Sequence, residues 1–250
     1  MKQNLLFTGL LICITSFTFN LVYAQDCSSM MNSTSFKNEH GDTISADLYY
    51  LDYFTGVSTQ LELKTNKEWR EYRKNKKKGN TGYDLHRLIP ITDKERETHL
   101  EASKSNILTS HNIGKEFPGF QVTDLNGNNY NTEELKGKIV VLNFWFIQCL
   151  PCQLEVSALN NLYEKYKDNP EVVFISFARN SPEDLKTHLE KKEFTYPTVY
   201  FNDNLSQKIK VKTYPSNIVI DKSGKYAFES IGVDFGSVLL LDRAIKSALQ

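Results

Sequence analysis

A nearly continuous apolar run, Lys138–Phe146 (KIVVLNFWF), constrains the fold of this chain more than any other segment. Such a run is typical of a strand at the centre of a sheet, where both faces are buried. Two cysteines, Cys149 and Cys152, follow the run, and residues 151 to about 167 carry apolar side chains at helical spacing. We therefore expect a buried strand that leads through a two-cysteine turn into a helix.

The segments after about residue 111 alternate between strand and helix patterns. Further strands are predicted at Phe117–Thr123, Glu171–Phe177, Pro197–Phe201, Asn217–Asp221 and Tyr226–Ile231. An Asn-Gly turn after the first of these predicts a hairpin. Further helices are predicted from Pro182, with Ser181 as N-cap, to about Lys192, and at Val238–Leu249. This order predicts an α/β fold with a mixed sheet flanked by helices.

The first residues have the pattern of a secretory signal peptide. Lys2 precedes the apolar stretch Leu5–Thr18, and small residues occupy the usual cleavage offsets before Gln25. The alternative is a membrane anchor, but the stretch is short for a span of about 20 apolar residues. We expect residues 1–24 to be removed near Ala24, leaving a periplasmic or secreted chain with no integral membrane segment.

Residues 25–110 form a separate N-terminal extension of unknown role, before a domain at 111–250. Ala46–Tyr53 and Gly56–Leu63 are predicted to be strands, and Thr92–Ser103 an exposed helix. The basic run Lys64–Lys78 is predicted to be a solvated surface helix, although a face for a polyanion is the alternative. The 30 basic and 30 acidic residues of the whole chain balance, which argues against a dedicated nucleic-acid binder.

The two neighbouring cysteines are the part of the chain that carries chemistry. Outside the cytosol they are expected to pair, which leaves Cys27 free or bonded to another chain. A cysteine at a helix N-terminus has its thiolate stabilised by the helix dipole, so the pKa of Cys149 is expected to be low. Cys149 would then attack a disulfide, and Cys152 would resolve the mixed disulfide.

Three other uses of this cysteine spacing remain open from the residues alone. Half of a zinc site would need further ligands, and no second pair of cysteines or suitably spaced His is present, so no metal is expected. A purely structural disulfide usually closes a longer loop. A peroxide-reducing thiol usually follows a Thr, whereas Phe146-Ile147-Gln148 precede Cys149.

An ordered series of motifs resembles the exported thioredoxin-like proteins of the TlpA/ResA type, within the AhpC/TSA-redoxin superfamily. The motifs are Gly114–Pro118, Asp124–Gly127, Leu135–Lys138, Leu142–Trp145, and Cys149–Cys152 with Glu155. The resemblance implies a thioredoxin fold with an added N-terminal β-hairpin, thiol–disulfide oxidoreductase activity outside the cytoplasm, and no cofactor. At Gln148 the family often has an aromatic residue, so the usual aromatic cover of the disulfide is missing. Trp145 is expected to be core packing.

The resemblance also assigns two further parts of the site. Tyr214-Pro215 stands where thioredoxin-like proteins keep a cis-proline that faces the disulfide and binds substrate; Pro197 is the competing position. Glu155 stands where the family commonly has a glutamate, on the same helical face as Cys152. If buried, it would have a raised pKa and could exchange a proton with Cys152. The alternative is a solvent-facing glutamate.

The expected function is reduction of protein disulfides, with a membrane thiol reductase as electron donor and no nucleic acid as partner. The direction of electron flow follows from the resemblance. The alternative is a binding module, in which the thioredoxin domain serves as a scaffold for the N-terminal extension and the Lys64–Lys78 face.

Overall fold

The computed structural model describes residues 36–37, 43–44, 50, 52–56, 58–60, 88–106 and 112–250. The predicted signal peptide, its cleavage near Ala24, Cys27 and the basic run Lys64–Lys78 lie outside these residues. Within the described part, none of the helices has both the length and the apolar character that a membrane span requires.

The secondary structure follows the predicted order over the second half of the chain. The strands are β1 (Phe36–Lys37), β2 (Thr43–Ile44), β3 (Ser58–Gln60), β4 (Leu88–Pro90), β5 (Gln121–Thr123), β6 (Asn129–Asn131), β7 (Ile139–Trp145), β8 (Val172–Ala178), β9 (Thr198–Tyr200), β10 (Ser216–Ile220) and β11 (Tyr226–Ile231). The helices are α1 (Asp93–Asn106), α2 (Leu150–Tyr166), α3 (Pro182–Leu189), α4 (Asp203–Ile209) and α5 (Ser237–Leu249).

A five-stranded sheet with the order β11-β10-β7-β8-β9 forms the centre of the fold. β7 pairs parallel with β8 and antiparallel with β10, while β9 extends the parallel side and β11 the antiparallel side. All seven residues of β7 are buried, as the apolar run predicted. The predicted mixed sheet flanked by helices is therefore confirmed.

The predicted N-terminal hairpin, β5 and β6, lies against the β9 edge of the sheet. The Leu125 backbone N–H donates to the Thr198 carbonyl at 2.9 Å, and the Phe120 ring packs edge-on against Phe177 with ring centroids 5.4 Å apart. The Asp124 carboxylate accepts the backbone N–H groups at 126 and 128 and so stabilises the Asn-Gly turn. The hairpin thus closes the core beside the parallel strands.

The strand predicted at Ala46–Tyr53 is wrong at the residues of this segment that the structure describes. Tyr50 and residues 52–54 are helical, and β3 pairs with β4 instead of with this segment. Tyr50 and Phe54 are four residues apart, which places both rings on one helical face. Their rings stack at 5.5 Å and are buried in the main core. Tertiary burial of this face overrides the strand propensity of the aromatic residues.

The helix predicted at Thr92–Ser103 is confirmed as α1, but one of its faces is buried. Thr92 and Glu95 form a capping box: the Thr92 backbone N–H donates to the Glu95 carboxylate at 2.9 Å. Leu100 is completely buried in a cluster with Phe235 and Leu240. The spacing of apolar residues in α1 gave little sign of a buried face, because a single leucine, Leu100, supplies most of that face.

α1 and the helical residues 52–54 are packed against the segment that leads into α5. The Ser103 hydroxyl donates to the Phe235 carbonyl at 2.8 Å, and the Gly236 backbone N–H donates to the Tyr53 carbonyl at 2.9 Å. Gly236 has a φ of 66°, and a Cβ on it would lie 2.3 Å from Leu100 Cδ2. This close approach requires glycine both for its conformation and for the space.

Candidate active site

The two cysteines of the Cys149–Cys152 pair are joined in a disulfide at the start of α2. The S–S distance is 1.96 Å and the Cα atoms are 5.3 Å apart. Both residues are buried, with 4% of Cys149 and 2% of Cys152 exposed. Across the described ranges, no three His, Cys, Asp or Glu side chains converge as metal ligands would.

The N-terminus of α2 is built so that it favours negative charge on Cys149. Cys149 is the N-cap residue, and its Sγ accepts the Cys152 backbone N–H at 3.2 Å. Pro151 occupies the first turn, where its missing N–H has no intrahelical partner. The unpaired N–H groups and the helix dipole at this end stabilise a thiolate in the reduced protein.

The loop between β7 and Cys149 is held by Asn180, from the end of β8. The Asn180 Oδ1 atom accepts the Ile147 backbone N–H at 2.7 Å, and its Nδ2 donates to Gln148 Oε1 at 3.0 Å. Gln148 is exposed. A polar amide therefore stands at the position where the family often has an aromatic residue, as expected from the sequence. Trp145 is almost fully buried, as predicted, and packs edge-on against Phe194.

Glu155 lies on the buried face of α2, one turn after Cys152, with none of its surface exposed. Asn143 Nδ2 donates to its Oε1 at 2.9 Å, and Asn217 Nδ2 donates to its Oε2 at 3.3 Å. Burial raises the pKa of Glu155 to about 8, and the hydrogen bonds from Asn217 and Asn143 act in the opposite direction. The solvent-facing alternative for Glu155 is wrong, and the carboxyl group titrates in the range where thiols exchange protons.

The Tyr214–Pro215 segment leads into β10 beside the two-cysteine turn. Among the described residues, the cis peptide bond is Tyr214–Pro215, as predicted, and the competing position at Pro197 has none. The Tyr214 ring packs edge-on against Phe146 at 5.5 Å. The Phe146 carbonyl in turn accepts the Cys149 backbone N–H at 3.1 Å, which connects the two parts of the site.

Sequence reasoning did not identify Asn143, Asn217 or Asn180 as parts of the site. Asn143 interrupts an otherwise apolar strand pattern, and Asn217 begins another. A polar residue at the centre of a buried strand needs a buried partner, so these positions carried a signal. The partner, Glu155, becomes visible only when α2 is placed on the sheet. Asn180 follows a strand in an ordinary polar loop and carried no comparable signal.

Comparison with known proteins places this geometry in a family. The profile of the AhpC/TSA family matches residues 113–228. A thiol-disulfide oxidoreductase ResA from Bacillus thuringiensis (strain Al Hakam) is 37% identical over 125 residues, which are 48% of this chain and 70% of that protein. This chain belongs to the ResA family of thioredoxin-like thiol-disulfide oxidoreductases. The resemblance noted in the sequence is therefore confirmed, and so is the expected class of enzyme.

Solved structures agree with the family assignment at the level of the fold. A thiol:disulfide interchange protein DsbE from Chlorobium tepidum is similar over 56% of this chain and 100% of its own, with a TM-score of 0.51 and 22% identity. A protein disulfide isomerase from Bacteroides thetaiotaomicron is similar over 57% and 93%, with a TM-score of 0.52 and 22% identity.

Proposed function

We propose that this ResA-family enzyme is an exported reductase of protein disulfides, in which Cys149 is the attacking residue and Cys152 the resolving residue. The observation that carries the assignment of roles is the position of Cys149 at the N-cap of α2. Its Sγ accepts the Cys152 backbone N–H at 3.2 Å, so negative charge is better stabilised on Cys149 than on Cys152, which lies inside the helix.

The reaction consists of two thiol–disulfide exchanges. The Cys149 thiolate attacks one sulfur of a substrate disulfide, forms a mixed disulfide with it, and releases the other sulfur as a thiolate. The Cys152 thiolate then attacks Cys149 Sγ, forms the intramolecular disulfide and releases the second substrate thiol. Two electrons pass from the dithiol to the substrate, and the protons of the two cysteines end on the substrate thiols.

Glu155 serves as the proton acceptor for Cys152 in the second exchange. The carboxyl group is buried one turn after Cys152 on the same helical face, and its pKa is near 8. A group with this pKa is partly ionised at neutral to mildly alkaline pH, and its ionised fraction can take up the proton of Cys152 and return it when the substrate thiolate leaves. The Tyr214–Pro215 segment is assigned to substrate binding, since Tyr214 packs on the loop that positions Cys149.

The proposed function also requires export of the chain and re-reduction of its two cysteines after each reaction. The signal-peptide pattern supports cleavage near Ala24 and a site of action in the periplasm or outside the cell. A reductase that works there uses up its dithiol with each substrate. We therefore assign its recharging to a membrane thiol reductase that carries electrons across the membrane.

Trapping and turnover together test the proposal. Cys152→Ser is expected to accumulate mixed disulfides through Cys149, which can be isolated and identified, whereas Cys149→Ser is the matched control that should trap none. The wild-type protein should reduce insulin disulfides in the presence of a thiol donor. Trapping through Cys152 instead of Cys149 would reverse the roles, and trapped partners without any insulin reduction would favour a binding module.

A further inference from the structure

One row of register partners across the central sheet is polar, although it is buried. Asn143 on β7 is paired with Asn217 on β10 and with Ser176 on β8. The row continues to both edges, so that its members are Ser230, Asn217, Asn143, Ser176 and Thr198. None of them is more than 4% exposed. Buried polar residues in strands need partners, and the four members from Asn217 to Thr198 form two groups that differ in their side-chain partners.

The first group is closed on itself and does not involve α2. The Ser176 and Thr198 hydroxyls are 2.9 Å apart, and the Thr198 hydroxyl also donates to the Tyr196 carbonyl at 3.2 Å. These bonds satisfy both hydroxyl groups within strands β8 and β9 and the segment before β9. This pair provides a buried polar contact in the same row that is independent of Glu155.

The second group is organised around Glu155. Asn143 Nδ2 donates to Glu155 Oε1 and to Asn217 Oδ1, both at 2.9 Å, and so uses both of its hydrogens. Asn217 Nδ2 donates to Glu155 Oε2 at 3.3 Å. Each carboxyl oxygen therefore accepts a hydrogen bond from an amide on a different strand. Amide donors bind an ionised carboxylate more strongly than a neutral acid, because the acceptor then carries charge.

We propose that Asn143 and Asn217 are positioning residues that stabilise the ionised form of Glu155 and thereby set the pH range in which it accepts a proton from Cys152. The inference rests on the proton-accepting role proposed above for Glu155. Even with the two amides, burial keeps the pKa of Glu155 near 8, so only a minor fraction of the carboxyl group is ionised at neutral pH. Without the amides this ionised fraction would be smaller still, and Glu155 could accept a proton only at higher pH.

Few other groups compete for control of this carboxyl group. Asn143, Asn217 and Ser176 bear no charge. Among the described titratable groups, Tyr196 feels the charge of Glu155, and Cys152 lies one turn before it on α2. Burial and the charge of Glu155 both raise the pKa of Tyr196 well above its ordinary value, so its hydroxyl stays neutral. In the oxidised protein the cysteines do not titrate. The oxidised state thus isolates the effect of the two amides on Glu155.

The test is a direct titration of Glu155 in the purified, oxidised protein. The carboxyl carbon of Glu155 is followed by NMR from acidic to alkaline pH and assigned by its absence in Glu155→Gln. Asn217→Leu keeps the approximate volume, excludes water and removes one amide donor. Its titration midpoint is expected to rise by about one pH unit, the size of one lost hydrogen bond to a charged group. Asn143→Leu should raise it further.

Two variants protect this test against a purely structural explanation. Ser176→Ala removes a buried hydrogen bond from the same row without touching Glu155, and its midpoint should equal that of the wild type. Asn217→Thr keeps one short donor and should lie between the wild type and Asn217→Leu, also if the leucine variant fails to fold. An unchanged or lower midpoint in Asn217→Leu or Asn217→Thr, or an equal rise in Ser176→Ala, would overturn the inference.

A kinetic measurement separates this inference from the proposed function. The pH profile for resolution of the mixed disulfide should move upward in the asparagine variants by the same amount as the Glu155 midpoint. If Glu155→Gln resolves mixed disulfides at the wild-type rate, the proton-accepting role of Glu155 fails, while the titration still decides whether the amides control its ionisation.

Discussion

The Asn180 side chain connects the segment that follows β8 to Gln148, the residue directly before Cys149. Its Nδ2 donates to Gln148 Oε1 at 3.0 Å, while its Oδ1 accepts the neighbouring Ile147 backbone N–H at 2.7 Å. One asparagine thus holds the loop on which the position of Cys149 depends. Of the two contacts, the bond to the backbone is the partly buried one, and it is the one expected to matter for stability.

Asn180→Ala is therefore expected to loosen this loop. The Ile147 N–H loses its acceptor, at a cost of about 1–3 kcal/mol if no water replaces it. Amide exchange at Ile147 should accelerate, and insulin reduction should slow several-fold because Cys149 is less well oriented. Gln148→Ala is the matched control, since it removes only the exposed side-chain contact. Equal exchange rates at Ile147 in Asn180→Ala and the wild type would contradict the prediction.

Glu155→Gln is expected to slow the resolving step while it leaves the attacking step nearly unchanged. Glutamine keeps the size and the hydrogen-bonding capacity but cannot accept a proton. The loss should be about 10²-fold or less, the low end of general acid–base effects. Reaction with a chromogenic aromatic disulfide releases one thiolate on attack by Cys149 and a second on resolution by Cys152, so stopped-flow absorbance separates the two steps. A slower first phase with a normal second phase would reverse this interpretation.

The raised pKa of Glu155 also predicts how stability depends on pH. The folded protein holds the Glu155 proton up to about pH 8, whereas an unfolded chain releases it near the ordinary value of 4.5. Between these values the folded state binds more protons, so stability falls as the pH rises, by at most about 1.4 kcal/mol per pH unit. Below that window the contribution is fully retained.

Urea unfolding of the oxidised protein measures this slope at several pH values between about 5 and about 8, that is, between the pKa values of the unfolded and folded states. Glu155→Gln carries no titrating group at this position, so its stability relative to the wild type should increase steadily with pH. The other acidic groups are common to both proteins and cancel in the difference. A difference that does not change with pH would mean that Glu155 is already ionised in the folded protein.

Leu100→Ala is expected to weaken the packing of the residues before 111 on the rest of the chain. Leu100 is fully buried against Phe235 and Leu240, and truncation of such a leucine costs about 2–5 kcal/mol. Urea unfolding measures the loss. Glu97→Gln on the same helix is the matched control, because Glu97 makes an exposed ion pair with Arg243 and should change stability little. Similar losses in both variants would mean that α1 is not docked in solution.

A domain that begins at residue 111 remains a prediction, and the packing of Leu100 bears on its stability. A chain that begins there contains all five strands of the central sheet and the disulfide, and we expect it to keep the dithiol reaction. It lacks Tyr50, Phe54 and Leu100, which are buried against it in the whole chain. The shortened chain should therefore be the less stable of the two.

The sequence by itself determined the central strand, the helix that follows it and the chemistry between them. Lys138–Phe146 is apolar enough to be buried on both faces, and the cysteine spacing fits a single turn at the start of α2. Local capping signals were equally informative: Ser181 accepts the Asp184 backbone N–H at 3.2 Å, as an N-cap should. These features depend on neighbours within a few residues, which is why they can be read along the chain.

Only the tertiary structure decided which residues surround the carboxyl group of Glu155. Asn143 and Asn217 are 74 positions apart, and each contacts Glu155 because the sheet brings β7 and β10 side by side beneath α2. The same applies to Tyr50 and Phe54, whose burial turned an expected strand into a helix. Burial is a property of the assembled core, and it fixes both the pKa of Glu155 and the conformation of a short aromatic segment. Neither follows from local sequence, since the same residues in water would titrate and fold differently.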